Sequence, residues 1–142
     1  MRDLLLCGFA CLLLVVSPAI AAEPYEAEGF EGQPVLVTTQ TADGGVISYP
    51  SAGAPQIVAV VLTIQPGGRS DLHHHPVPAF VYVLEGEFEL RQGNVAWTIK
   101  AGEALVEPIE SKLQAFNPGS VPTKVLVVHV GSTEVEPIIR DQ

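Results

Sequence analysis

Residues 67–87 read Gly67-Gly68-Arg69-Ser70-Asp71-Leu72-His73-His74-His75-Pro76-Val77-Pro78-Ala79-Phe80-Val81-Tyr82-Val83-Leu84-Glu85-Gly86-Glu87, and this stretch decides the fold. Its second half has a period of two, with Ala79, Val81 and Val83 on one face and Phe80 and Tyr82 on the other, which predicts a strand. Gly86 then marks a turn into a further strand. The first half sets three consecutive histidines after the tight turn Gln65-Pro66-Gly67-Gly68. In an extended segment His73 and His75 project to one side and His74 to the other. Two imidazoles on one side can reach a single ion, a pairing that suits Zn, Fe, Mn, Cu or Ni. Standing alone, the run reads better as a polar loop with three solvated histidines; its flanks change that.

The same pattern extends in both directions. Short runs rich in Val, Ile, Thr and aromatic residues predict strands over 35–39, 46–49, 56–64, 79–84, 87–91, 95–99, 104–107, 113–117 and 123–130. Turn residues separate them: Gly44-Gly45, Gly86, Gln92-Gly93-Asn94, Ala101-Gly102 and Pro118-Gly119. No helical apolar stripe, internal repeat or low-complexity tract interrupts the series. Close spacing favours antiparallel hairpins, and nine such strands suit two facing sheets closed into an all-β jelly-roll barrel.

The two ends of the chain are different in character. Arg2, an apolar run from Leu4 to Val16, and Ala19-Ile20-Ala21 have the layout of a secretory signal over residues 1–21. Thirteen apolar residues are too few to span a bilayer comfortably. Residues 22–34, with Glu23, Glu26, Glu28 and Glu31, read as a mobile acidic arm, and 35–142 as the barrel domain. Cys7 and Cys11 both fall in the signal, so the mature chain would enter an oxidising compartment, periplasmic or extracellular, without disulfides. The net charge of -9 argues against nucleic acid and anionic membrane surfaces as partners. No Ser-His-Asp order, cysteine nucleophile, P-loop or dinucleotide-binding glycine pattern is present.

The spacing around the histidines resembles the first motif of the cupin superfamily, with Gly67, His73, His75 and Gly86 matching in position. Gly102, Pro108 and Asn117 match the second motif, and the 87–101 interval has the hairpin length of small bacterial members. The resemblance spans about 55–131 and implies a double-stranded β-helix, a ligand-holding interior and a divalent metal. It also exposes departures. The family's metal-binding Glu falls on Ala79, its third His on Leu113, and the second glycine of the second motif on Glu110. Ala79 and Leu113 are therefore expected to line the cavity with apolar surface.

Two imidazoles alone hold a metal weakly, so other residues must complete a site. Glu107, before Pro108, is the best candidate; some exported single-domain cupins that the chain is similar to carry Glu there. The other reading of Glu107 is a solvated carboxylate at a strand end. His129, in an apolar strand, is more often a satisfied residue than a ligand. His74 could serve if the segment is irregular, and Gln114 and Asn117 are weak neutral ligands. The expected metal set is His73, His75 and Glu107, with no catalytic residue assigned. The resemblance implies small-molecule binding, with oxygenase or isomerase chemistry if the protein is catalytic. The alternative is a metal-free degenerate cupin acting as a binding or accessory module. Small cupins commonly pair, through barrel faces and N-terminal arms, so a homodimer is a further expectation.

Overall fold

The computed structural model describes residues 26–141. The expected signal segment and both cysteines lie outside the described residues. Among these residues every element is a strand. Eleven strands are formed: β1 (Glu26–Ala27), β2 (Phe30–Glu31), β3 (Pro55–Ile64), β4 (His73–His74), β5 (Ala79–Glu85), β6 (Glu87–Gln92), β7 (Val95–Lys100), β8 (Ala104–Val106), β9 (Gln114–Phe116), β10 (Thr123–Ser132) and β11 (Ile139–Arg140).

Two sheets carry the barrel, one ordered β3-β10-β5-β8 and the other β7-β6-β9. All of their pairs are antiparallel. The period of two in β5 does what the sequence requires. Ala79, Val81 and Val83 are fully buried, while Phe80 and Tyr82 are half-buried on the other face. Val125 and Val127 of β10 and Leu105 of β8 join them from the same sheet. Phe88 and Leu90 of β6 meet them from the opposite sheet, with Leu113 closing the end. Burial of these side chains supplies about 1.5–3 kcal/mol each, and it takes the place of the disulfides that the described chain lacks.

Turn chemistry carries the chain from β5 in one sheet to β6 in the other. Gly86 has a φ of 80°, and a Cβ there would lie 2.7 Å from Thr123 Oγ1. Thr123 in turn donates to the Glu87 carbonyl at 2.7 Å and accepts from its N–H at 3.1 Å, tying the start of β6 to β10 across the two sheets. Asn117, a match to the second motif, is a structural clamp. Its Nδ2 donates to the carbonyls of Ile64 and Val121 and its Oδ1 accepts from Gly119 N–H, so none of its polar atoms is left for a metal. Gln114 is similarly engaged, donating to the Ser70 carbonyl.

Some of the expected strands form otherwise. Residues 35–39 and 46–49 form no ladder; Gln40 and Val46 make an isolated bridge and Ile47 N–H donates to the Thr39 carbonyl, around a turn closed by Thr41 N–H to the Gly45 carbonyl. Val35, Val37, Val46 and Tyr49 are exposed, so no buried face rewards a longer ladder. Conversely, the acidic arm holds the small hairpin β1–β2, and the chain end supplies β11, paired with β4. β3 lies at a sheet edge with Ile57, Val60, Val61 and Leu62 exposed.

Candidate metal centre

His73 and His75 reach the same place because the backbone around them is extended and pinned on both sides. His73 exchanges two backbone hydrogen bonds with Leu113, at 3.0 and 2.7 Å. The His75 carbonyl accepts from Glu110 N–H at 2.9 Å. Glu110 has a φ of 56°, the left-handed conformation in a non-glycine residue, at the position where the resemblance has glycine. The turn geometry has been kept although the residue that adopts it freely has not. Glu107 follows β8, with its N–H donating to the Ala79 carbonyl.

The ligand atoms of His73, His75 and Glu107 all lie within 4.8 Å of one another. Each imidazole is oriented through its other nitrogen. His73 Nδ1 lies 2.8 Å from the Asp71 carbonyl and His75 Nδ1 2.7 Å from the Pro137 carbonyl. A carbonyl only accepts, so each Nδ1 carries the proton and each Nε2 is the nitrogen free to bind a cation. His74 points the other way, its Nδ1 3.1 Å from Asp141 Oδ2. The His74 contact, with Lys112 beside it, holds the Asp141 carboxyl below its usual range against the smaller opposing effect of burial.

His75 Nε2 and Glu107 Oε2 approach to 2.7 Å in a place where both residues are almost wholly buried. The contact is not aligned as a hydrogen bond, and Oε2 has no partner that is. With Nδ1 committed to Pro137, two acceptors face each other unless a positive charge is present. A proton on Nε2 supplies it in the bare protein. Burial pushes the His75 ring down, but the Glu107 contact and charge, helped by the Pro137 carbonyl, outweigh it and hold its pKa above the ordinary value. A divalent cation would meet the same demand with two Nε2 lone pairs and a carboxylate. These donors fit such a group, and three of them leave coordination positions open to a ligand.

The centre opens on a cavity of about 240 Å³, with Val60, Leu62, Phe88, Val127 and Ile138 among its apolar lining. His129 and Arg140 line it as well. Ala79 and Leu113 do not have the expected role. Both are fully buried in the core and neither reaches the cavity surface. The register shows how the polar groups sit around them. Ala79 on β5 is flanked by His129 on β10 and by the Glu107 backbone after β8. A carboxylate and an imidazole thus stand on the neighbouring strands, with alanine between them. The contribution of the chain end went unread in the sequence. Pro137 orients His75, and Ile138 and Arg140 form part of the wall. No motif marks residues 137–140; only their pairing with the histidine segment brings them there.

The cupin domain family model matches residues 60–129, which contain both sheets' central strands and the whole histidine–glutamate cluster. The chain belongs to the cupin superfamily. Among solved cupin-type structures, a double-stranded β-helix domain protein from Klebsiella pneumoniae is similar, with 26% identity and a TM-score of 0.52, over 66% of this chain and 89% of that one. The polyketide cyclase RemF from Streptomyces resistomycificus has the same fold, with 22% identity and a TM-score of 0.52 over 68% of each chain. Protein SchB from Streptomyces halstedii is 33% identical over 88 residues, 61% of this cupin, which spans 63% of SchB's length.

Proposed function

We propose that this cupin is exported and binds a small, mainly apolar molecule beside a divalent metal ion held by His73, His75 and Glu107. One observation carries the reading: two imidazole Nε2 atoms and a buried carboxylate converge at the end of an apolar cavity. When bound, the ion would act as a Lewis acid or an O₂ site, the chemistry of an isomerase or an oxygenase. The chain's own residues do the rest. Asp71 and Pro137 hold the two rings in the tautomer that presents Nε2. Val60, Leu62, Phe88 and Val127 give the ligand an apolar seat and limit water around it.

Metal measured by mass spectrometry in the mature chain is expected near one equivalent, and near zero in the His73→Ala/His75→Ala double variant. Equal, near-zero values in both would sink the reading. A second reading, a metal-free binding module, is favoured by one specific observation. Ala79 and Leu113 are packed apolar residues at the family's ligand positions, and a proton can bridge His75 and Glu107. Tight metal binding by the parent excludes it.

A further inference from the structure

Among the described residues, four buried side-chain polar atoms lack a hydrogen-bond partner: Glu107 Oε2, both ring nitrogens of His129, and Ser132 Oγ. Three of the four belong to residues that line the cavity beside the His73–His75–Glu107 cluster, and His129 contributes two of them. His129 is 2% exposed, and its ring centroid lies 5.0 Å from that of His75. The ring is not mobile in sequence register, because β10 is paired on both sides, with Val58 and with Ala79 opposite His129. Neither neighbour has a polar side chain to offer it, and the Val58 backbone facing the ring makes no aligned hydrogen bond with it. Leaving a buried imidazole without a partner is unfavourable, a cost that a bound group can remove. His129 lies outside the set of mutually close ligand atoms formed by His73, His75 and Glu107. Its nitrogens therefore suit an atom of the occupant rather than the ion itself.

We propose that His129 is a ligand-contacting residue of this cavity: it hydrogen-bonds one of two adjacent oxygens on a compact, largely apolar molecule whose other oxygen sits at the His73–His75–Glu107 centre. The inference rests on the metal reading above and adds the class of ligand. The second oxygen is suggested by the 5.0 Å between the His129 and His75 ring centroids, which sets the two contacts side by side on one cavity wall. The apolar body follows from Val60, Leu62, Phe88, Val127 and Ile138. Size follows from the volume. A dry apolar cavity of about 150 Å³ holds benzene, so 240 Å³ admits one substituted ring or a small fused pair. Catechols, enediols and α-hydroxyketones are the matching chemistry.

The test uses the mature chain, zinc, and two chromophoric probes that differ in one hydroxyl, 4-nitrocatechol and 4-nitrophenol. Zinc affinity is measured first, then probe affinity by visible absorption in the zinc-loaded protein. In His129→Leu, zinc affinity should stay within about twofold, 4-nitrocatechol should bind about tenfold more weakly, and 4-nitrophenol should be unchanged. His129→Gln, which can hydrogen-bond, should recover much of the loss. If His129→Leu melts early, His129→Phe makes the same comparison with a planar ring. Equal 4-nitrocatechol affinity in parent and apolar variant overturns the proposal, as does failure of the zinc-loaded parent to bind 4-nitrocatechol. A parallel fall in zinc affinity also overturns it, by making His129 a metal ligand. Failure of the parent to take up zinc is read at the first step; it defeats the metal reading, and this inference with it.

Discussion

At Glu107 a carboxylate is buried against an imidazole whose other nitrogen is already committed, and its consequences for pH have a definite sign. The His75 pKa is raised in the folded chain. Its stabilising contribution is therefore complete below the ordinary histidine value and is lost as pH rises through the raised one. In metal-free protein, Glu107→Gln should lower stability by about 1–3 kcal/mol on the acid side. The gap between parent and variant should narrow as pH rises through the raised His75 pKa, read as melting temperature against pH. Metal uptake has the opposite slope, because the ion must displace the His75 proton, so zinc affinity should rise with pH over that window. His129 has a pKa shift of the other sign. Burial, then the His75 charge, pushes it below the ordinary value, although Glu107 and the Val58 backbone pull the other way. Glu110 offers a separate test. Its φ of 56° is costly for an L-residue, by about 1–2 kcal/mol, and glycine returns part of that as chain entropy. Glu110→Gly should stabilise the fold by up to about 1 kcal/mol, measured by denaturant unfolding.

Strands β4 and β11 are two residues each, and neither would persist alone. They matter because their pairing brings the Pro137 carbonyl to His75 and Ile138 to the cavity wall. Removing residues 137–142 should leave the two main sheets folded, since β11 pairs only with β4. It should also cost about tenfold or more in metal affinity, the usual effect of losing the group that orients a ligand histidine. Retained far-ultraviolet circular dichroism with weakened zinc binding is the expected pair of results; undiminished binding would remove Pro137 from the account. The longer strands were legible in the sequence to within one or two residues, since β5, β6 and β7 combine alternation with glycine turns. The short ones were not. A two-residue strand has no period, and residues 35–39 show the converse, a β-rich run left exposed because no sheet buries it.

On the scale of the whole molecule, the described acidic side chains stay at or near the surface, with Glu107 the buried exception. If residues 1–21 are a cleaved export signal, N-terminal sequencing of the protein recovered after export should begin at Ala22; a retained Met1 would count against cleavage. The homodimer expected from the sequence would find exposed apolar surface along β3. If the arm contributes to pairing, deleting residues 23–33 should lower the sedimentation coefficient of an assembled species more than the lost mass explains.

The class of fold, the buried face of β5 and the partnership of His73 with His75 were determined by local rules. Alternation assigns a face to each residue of a strand, and glycine marks where the chain must turn. Those rules act over a few residues, so the chain alone expresses them. What closes the site lies further off. Glu107 had two readings in the sequence, ligand or solvated carboxylate, and only the fold buries it against His75. His129 read as an ordinary strand histidine until the β10 register set it beside Ala79 and into the cavity. Ala79 and Leu113 read as cavity lining, yet packing gave them to the core. Pro137 had no reading at all. In each case the deciding contact joins residues far apart in the chain, and its energy comes from burial and pairing that exist only when the sheets are assembled.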